Sequence, residues 1–493
     1  VDRKGRRWGG RGRERLRPQN SVEAILRMVV RFIHQETTSG LLLLGAAVTA
    51  LIWANSPWSS SYFALWEVPL AFRVGDLSLE KPLLLWINEG LMALFFFVIG
   101  LEIKRELLVG ALSSPKRALL PLAAAVGGML VPALIYALVN AGEPTLRGWG
   151  IPMATDIAFS LGVLALLGTR APLSLKVFLT ALAIVDDMGA VLVIALFYSE
   201  PPVWGYLGLG VGLLAFAALL GARGVRQPWV YAVIGAVLWW AFLQSGIHTT
   251  VAGVLLAMTI PAHTRMEAGS LAALGRRIVQ EFEHPAPATA AGSVDPDMTA
   301  RQQAAVQALE LACKDIESPL HRLERALHPW VAYFVVPLFA LANAGVALDE
   351  GVLRSEIHPV SLGVVLGLLV GKPLGIAGFA WLAVRFKLAA LPSDLGWRHI
   401  TGVGLLGGIG FTMSLFIAQL AFPAPNGAWL GRAKVGILMG SLLAGLAGWI
   451  VLRTLAPHSP APTPSSEAAR PEEETATAQE AARVSHEDRA SHP

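Results

Sequence analysis

Apolar runs close to the length of a bilayer crossing succeed one another along most of the chain. They fall at about 40–56, 82–103, 118–140, 149–168, 174–198, 203–222, 228–245, 247–261, 329–349, 359–385, 399–421 and 431–453. A helix rises roughly 1.5 Å per residue, so about 20 apolar residues cover a hydrocarbon core of roughly 30 Å. The pattern predicts an all-α polytopic membrane protein with about twelve transmembrane helices. One stretch breaks the rule. Residues 68–80, "VPLAFRVGDLSLE", alternate apolar and polar around Gly75-Asp76, which predicts a β-hairpin outside the bilayer.

The same pattern divides the chain. Residues 1–38 form a basic N-terminal arm, 39–261 carry spans one to eight, 262–328 form a polar insertion, and 329–454 carry spans nine to twelve of the same bundle. Residues 455–493, rich in Pro, Ser, Glu and Ala, are expected to be a disordered tail. Within the insertion, "HPAPATAAGSVDPD" reads as a linker, and Ser318-Pro319 as the N-cap and first-turn pair of a last helix.

Composition agrees with a membrane protein: 54% of the 493 residues are hydrophobic and 15% charged, against about a quarter charged in soluble domains. The net charge of +4 does not point to nucleic acid, because the basic residues flank the apolar runs. One side collects the N-terminal arginines, Lys104/Arg105, Lys116/Arg117, Arg170/Lys176, Arg223/Arg226, the insertion, Arg385/Lys387/Arg398 and Arg453. The other holds mainly Arg73, Lys81, Arg147, Arg354, Arg432 and Lys434. The excess predicts that the first side, with both termini, is cytoplasmic. The single cysteine, Cys313, excludes an internal disulfide and a cysteine-rich metal site. The Arg-rich start has no apolar segment of the kind a cleavable signal peptide needs.

Charges inside the runs carry the chemistry. "LTALAIVDDMGAVLVIALFY" puts Asp186 and Asp187 near the middle of the fifth run, where each costs about 2.5–3.5 kcal/mol on insertion scales. Successive helical residues point about 100° apart, so one carboxylate can face an aqueous cavity and the other a neighbouring helix. Lys372, the central charge of the tenth run, is an available countercharge. Asp156 stands between Pro152 and Gly162 in the fourth run, and "GVGLLGGIGFTMS" crowds five glycines into the eleventh. Both runs are expected to be broken, which leaves helix-end dipoles and free carbonyls that Asp156 and Lys372 could compensate. Glycines packed against neighbouring helices are the alternative explanation.

These segments resemble the NhaA family of sodium/proton antiporters. The resemblance covers about residues 34–454 apart from 262–315, and rests on seven ordered motifs. They are "LFFFVIGLEIKREL" (94–107), "ATDIAFSLGVLALLG" (154–168), "ALAIVDDMGAVLVIALFY" (181–198), "SGIHTTVAG" (245–253), "HPWVAYFVVPLFALANAGV" (328–346), "GKPLGI" (371–376) and "GIGFTMSLFIA" (408–418). The family implies inverted repeats with two discontinuous helices crossing at the midplane. It implies Asp187 as the cation-binding carboxylate, Asp186 as its partner in proton exchange, and Lys372 pairing with Asp186 when no cation is bound. Thr155 and Asp156 would lie at the helix crossing, with Asp156 balancing dipoles. Glu102, Arg105, Glu106 and Glu324 would line a cytoplasmic funnel tied to pH control, although solvated helix ends explain them equally well. His248 and His328 match motifs too, but lone histidines near helix ends are more often structural. Dimerisation through the 68–80 hairpin is also implied. The chain departs from the family in the 262–315 insertion, in His321 where the motif has lysine, and in its acidic tail. These bear on the pH threshold rather than on transport.

The resulting expectation is an electrogenic, pH-regulated exchanger of Na+ (or Li+) for H+ in a bacterial inner membrane. It would need no cofactor and would not be an enzyme. A cation channel also needs polar groups at mid-depth. An intramembrane aspartyl protease needs two carboxylates facing one water, which neighbours on a single helix do not readily provide.

Overall fold

The computed structural model describes residues 21–74, 77–262, 318–347, 358–423 and 427–455, with isolated positions between 273 and 307. The expected arm over 1–20, most of the insertion and the tail beyond 455 lie outside the described residues.

Helix α1 (Ser21–Ala54) turns by 113° into the short α2 (Ser59–Glu67). Strands β1 (Pro69–Val74) and β2 (Leu77–Pro82) follow as an antiparallel pair, registered from Pro69 opposite Pro82 to Val74 opposite Leu77. This is the expected hairpin, and its turn, Gly75-Asp76, lies outside the described residues. Then come α3 (Leu83–Leu108), α4 (Pro115–Val139), a 3-10 segment (Pro144–Met153), α5 (Ile157–Leu166) and α6 (Leu173–Tyr198). Next are α7 (Trp204–Ala222), α8 (Pro228–Ser245) and α9 (Thr249–Thr259). The chain continues with α10 (Pro319–Asn343), α11 (Pro359–Arg385), α12 (Trp397–Gly407), α13 (Phe411–Ala421) and α14 (Gly427–Arg453).

Among the described residues, eight helices are long and apolar enough to cross a bilayer, or eleven if each bent pair counts as one span. The remaining expected span corresponds to α9, whose 11 residues reach only about 16 Å at the helical rise. The chain is a multi-pass membrane protein, built of helices because a helix satisfies its own backbone polar groups in lipid. The ninth span begins at Pro319, inside the stretch assigned to the insertion. Ser318 caps it by accepting from His321 N at 3.3 Å, and the helix runs through His328-Pro329 without a break.

Two bent pairs position the site. The 3-10 segment and α5 meet at 43°, with extended backbone over Ala154–Asp156; α12 and α13 meet at 46° at Gly408–Gly410. Glycine keeps the second break close-packed, and the two breaks are joined directly, Asp156 N donating to Ile409 O at 2.7 Å. The breaks therefore coincide in space. Helices α4 and α11 cross where Gly127 and Gly375 face each other, so closely that a Cβ on either would strike the other's carbonyl. That approach brings Lys372 into the bundle interior, where its side chain is fully buried.

Candidate functional site

Helix α6 carries Asp186 and Asp187 with their side chains turned in different directions. Asp186 turns to α11, where Lys372 Nζ donates to its Oδ2 at 2.7 Å, both side chains being completely buried. Lys372 also donates to Thr155 Oγ1 at 2.8 Å, and Thr155 in turn donates to Gly407 O at 2.9 Å. A chain of contacts thus runs from Asp186 through the ammonium and a hydroxyl to a free carbonyl at the C-terminal end of α12. That end carries partial negative charge, which the ammonium offsets.

Asp156 serves the opposite polarity. It is the N-cap of α5, its Oδ1 accepting from Phe159 N at 3.0 Å. Its Oδ2 accepts from Thr412 N at 3.1 Å and Thr412 Oγ1 at 2.5 Å, at the start of α13. One buried carboxylate therefore bonds the N-terminal amides of two half-helices, where the dipole favours a negative charge. Ser160 Oγ completes the junction by donating to Leu406 O at 2.9 Å.

Asp187 is different. It lines a cavity of about 630 Å3, with Asp156, Thr155 and Thr412 at the same end. Its Oδ1 is buried and has no hydrogen-bond partner among the described residues; the same holds for Asp186 Oδ1. An orphan acceptor at this depth costs about 1–3 kcal/mol, more if charged, unless a proton, a water or a cation meets it. The side-chain groups gathered at this junction, the carboxylates of Asp156, Asp186 and Asp187 and the hydroxyls of Thr155 and Thr412, offer oxygens beside the Lys372 ammonium, a donor set suited to a hard cation.

The cavity opens toward the start of α10. Glu102, Arg105, Ser318, His321, Glu324 and His328 line its outer part. Arg105 bridges Glu106 at 3.1 Å and Glu324 at 3.4 Å, while His321 Nδ1 is 3.9 Å from Glu324 and His328 Nε2 is 4.0 Å from Glu102. Glu106 reaches this group through Arg105 and is not itself part of the lining. His248 is not brought to the cavity: its Nε2 lies 2.9 Å from Tyr198 O, at the far end of α6.

Residues 30–452 match the Na+/H+ antiporter 1 family. The chain belongs to that family. A protein of Oleidesulfovibrio alaskensis named Na(+)/H(+) antiporter NhaA is 49% identical over 435 residues, covering 88% of this chain and 95% of the relative. One from Koribacter versatilis with the same name is 50% identical, covering 87% and 92%. Another from Pseudomonas putida is 48% identical, covering 86% and 96%.

In this member of the Na+/H+ antiporter 1 family, the structure adds Thr412 and Ser160 to the residues singled out from the sequence. Thr412 has a signal that could have exposed it. It stands two residues after the glycine break, in the first turn of α13, where a helix start needs a polar partner. Ser160 lacks one, since a serine within a run of "IAFSLGV" looks like any small packing residue.

Proposed function

We propose that the chain exchanges Na+ (or Li+) for H+ across a bacterial inner membrane by alternating access. The names of its relatives support the reaction, and one observation carries the site: the unpartnered Asp187 oxygen at the end of a cavity, beside a buried Asp186–Lys372 pair. In this reading Asp187 binds the cation, assisted by Thr155, and protons compete for the same carboxylate oxygens. Cation binding draws Asp186 away from Lys372, so that the pair and Asp187 together release more than one proton per cation. The exchange is then electrogenic, driven by about 2.3 kcal/mol per charge per 100 mV. Asp156 stays bonded to its two helix ends and does not turn over.

The basic asymmetry of the loops supports a cytoplasmic cavity mouth and cytoplasmic termini. The charged group at that mouth, Glu102, Arg105, Glu106 and Glu324 with His321 and His328, sits on the cation's route and is our candidate for pH control; His248, remote from it, is the weaker candidate. The β1–β2 edge is our candidate dimer contact. Inverted vesicles that have built an acid interior and report it by a quenched dye test the reaction. Sodium should dequench the dye in vesicles carrying the chain, and Asp187→Asn should abolish this while the protein remains inserted. Near-normal dequenching by Asp187→Asn would overturn the site.

A further inference from the structure

The cavity lining ends, going away from the mouth, at Phe95 on α3, Val336 on α10 and Met413 on α13. One turn further along the last two helices lie Phe339 and Phe416, whose rings are 6.2 Å apart; Phe416 also meets Phe96 at 5.7 Å. All three rings are buried. Beyond them, on the side from which the hairpin enters α3, three amides from the same three helices close on one another. Asn88 Nδ2 donates to Gln419 Oε1 at 2.5 Å and to Asn343 Oδ1 at 3.4 Å. Asn343 Nδ2 donates back to Asn88 Oδ1 at 2.8 Å and to Phe339 O at 2.9 Å, and Gln419 donates to Asn343 Oδ1.

We propose that Asn88, Asn343 and Gln419 form a latch that holds the hairpin-side ends of α3, α10 and α13 together. Its release, with parting of the Phe96/Phe339/Phe416 layer, exposes the Asp187 chamber to that side. The inference deepens the antiport reading and rests on it: a site reached from one side only cannot exchange. Three of the helices that line the cavity, α3, α10 and α13, are the ones that the amides join, so movement that opens one end can close the other. Amides suit this duty. Buried together they satisfy one another, and when parted they are satisfied by the water of an open path, so both states are accessible. They are also neutral, so the latch adds no carboxylate to compete with Asp187 for the cation.

Two measurements test it on a Cys313→Ser background. First, the full chain with Asn88→Cys and Gln419→Cys is reconstituted and its thiols joined by a short bis-methanethiosulfonate, with joining followed by mass spectrometry. Sodium-dependent proton movement should fall to background when the pair is joined and return on reduction; exchange that persists through complete joining would overturn the latch. Second, Phe96→Cys is labelled from the hairpin side with a membrane-impermeant maleimide. Adding Gln419→Leu should speed labelling by about tenfold, as the open population rises, and an unchanged rate would overturn the proposal. Labelling needs no transport. It decides the matter if the double-cysteine chain is inactive before joining, and it separates failure of the latch from failure of the antiport reading, in which the unsubstituted chain moves no protons on sodium addition.

Discussion

Removing the charge of Lys372 leaves Asp186 buried without its ammonium, 2.7 Å away in the intact protein. Breaking a buried pair from one side costs about 3–5 kcal/mol. Lys372→Ala should therefore lower the melting temperature and reduce sodium-dependent exchange. An unchanged melting temperature would count against the pair. At this scale much was legible in the sequence, because a charge in an apolar run announces itself: Asp186, Asp187, Asp156 and Lys372 all meet at one junction. The hydroxyls were harder to find. Thr412 and Ser160 matter only through which helix end each reaches, and that depends on the tertiary crossing.

Two broken segments and one close helix crossing hold the junction. Gly375 stands against the backbone of Gly127, which cannot give way, whereas Gly378 three residues on faces open space. Gly375→Ala should cost about 1–3 kcal/mol through overpacking and lower sodium-dependent exchange, since Lys372 rides on the displaced helix. Gly378→Ala should be neutral or slightly stabilising. Thermal melting of the two purified variants checks this, and equal behaviour would refute the claim that the crossing sets the position of Lys372. The breaks themselves were legible from Pro152 and the glycines of the eleventh run. The start of α10 was legible too, from the Ser318-Pro319 cap. Its continuity with the ninth span was not, because its first turns are polar and read as insertion, yet they form one face of the cavity mouth, where charged residues stay hydrated.

At the scale of the whole molecule, the two-stranded sheet of β1 and β2 leaves outer edges that could template another strand. Each bundle holds a complete Asp186/Asp187/Lys372 set, so deletion of residues 69–79 should give monomers that still exchange. Dimers that survive the deletion in native gels would refute this contact, and folded but inactive monomers would refute the independence of the sites. The number of crossings could be read only approximately from hydrophobicity, because the run at 247–261 reads as a span while its helix, α9, has only 11 residues and packs against α3. In the proposed cycle protons and sodium share the oxygens of Asp187. Calorimetric titration of the purified protein with Na+ at a series of pH values tests that most directly. Competition predicts that the apparent Kd rises about tenfold or more per pH unit toward acid, and that Asp187→Asn removes the binding heat. A sodium affinity that does not change with pH, or that survives Asp187→Asn, would contradict it.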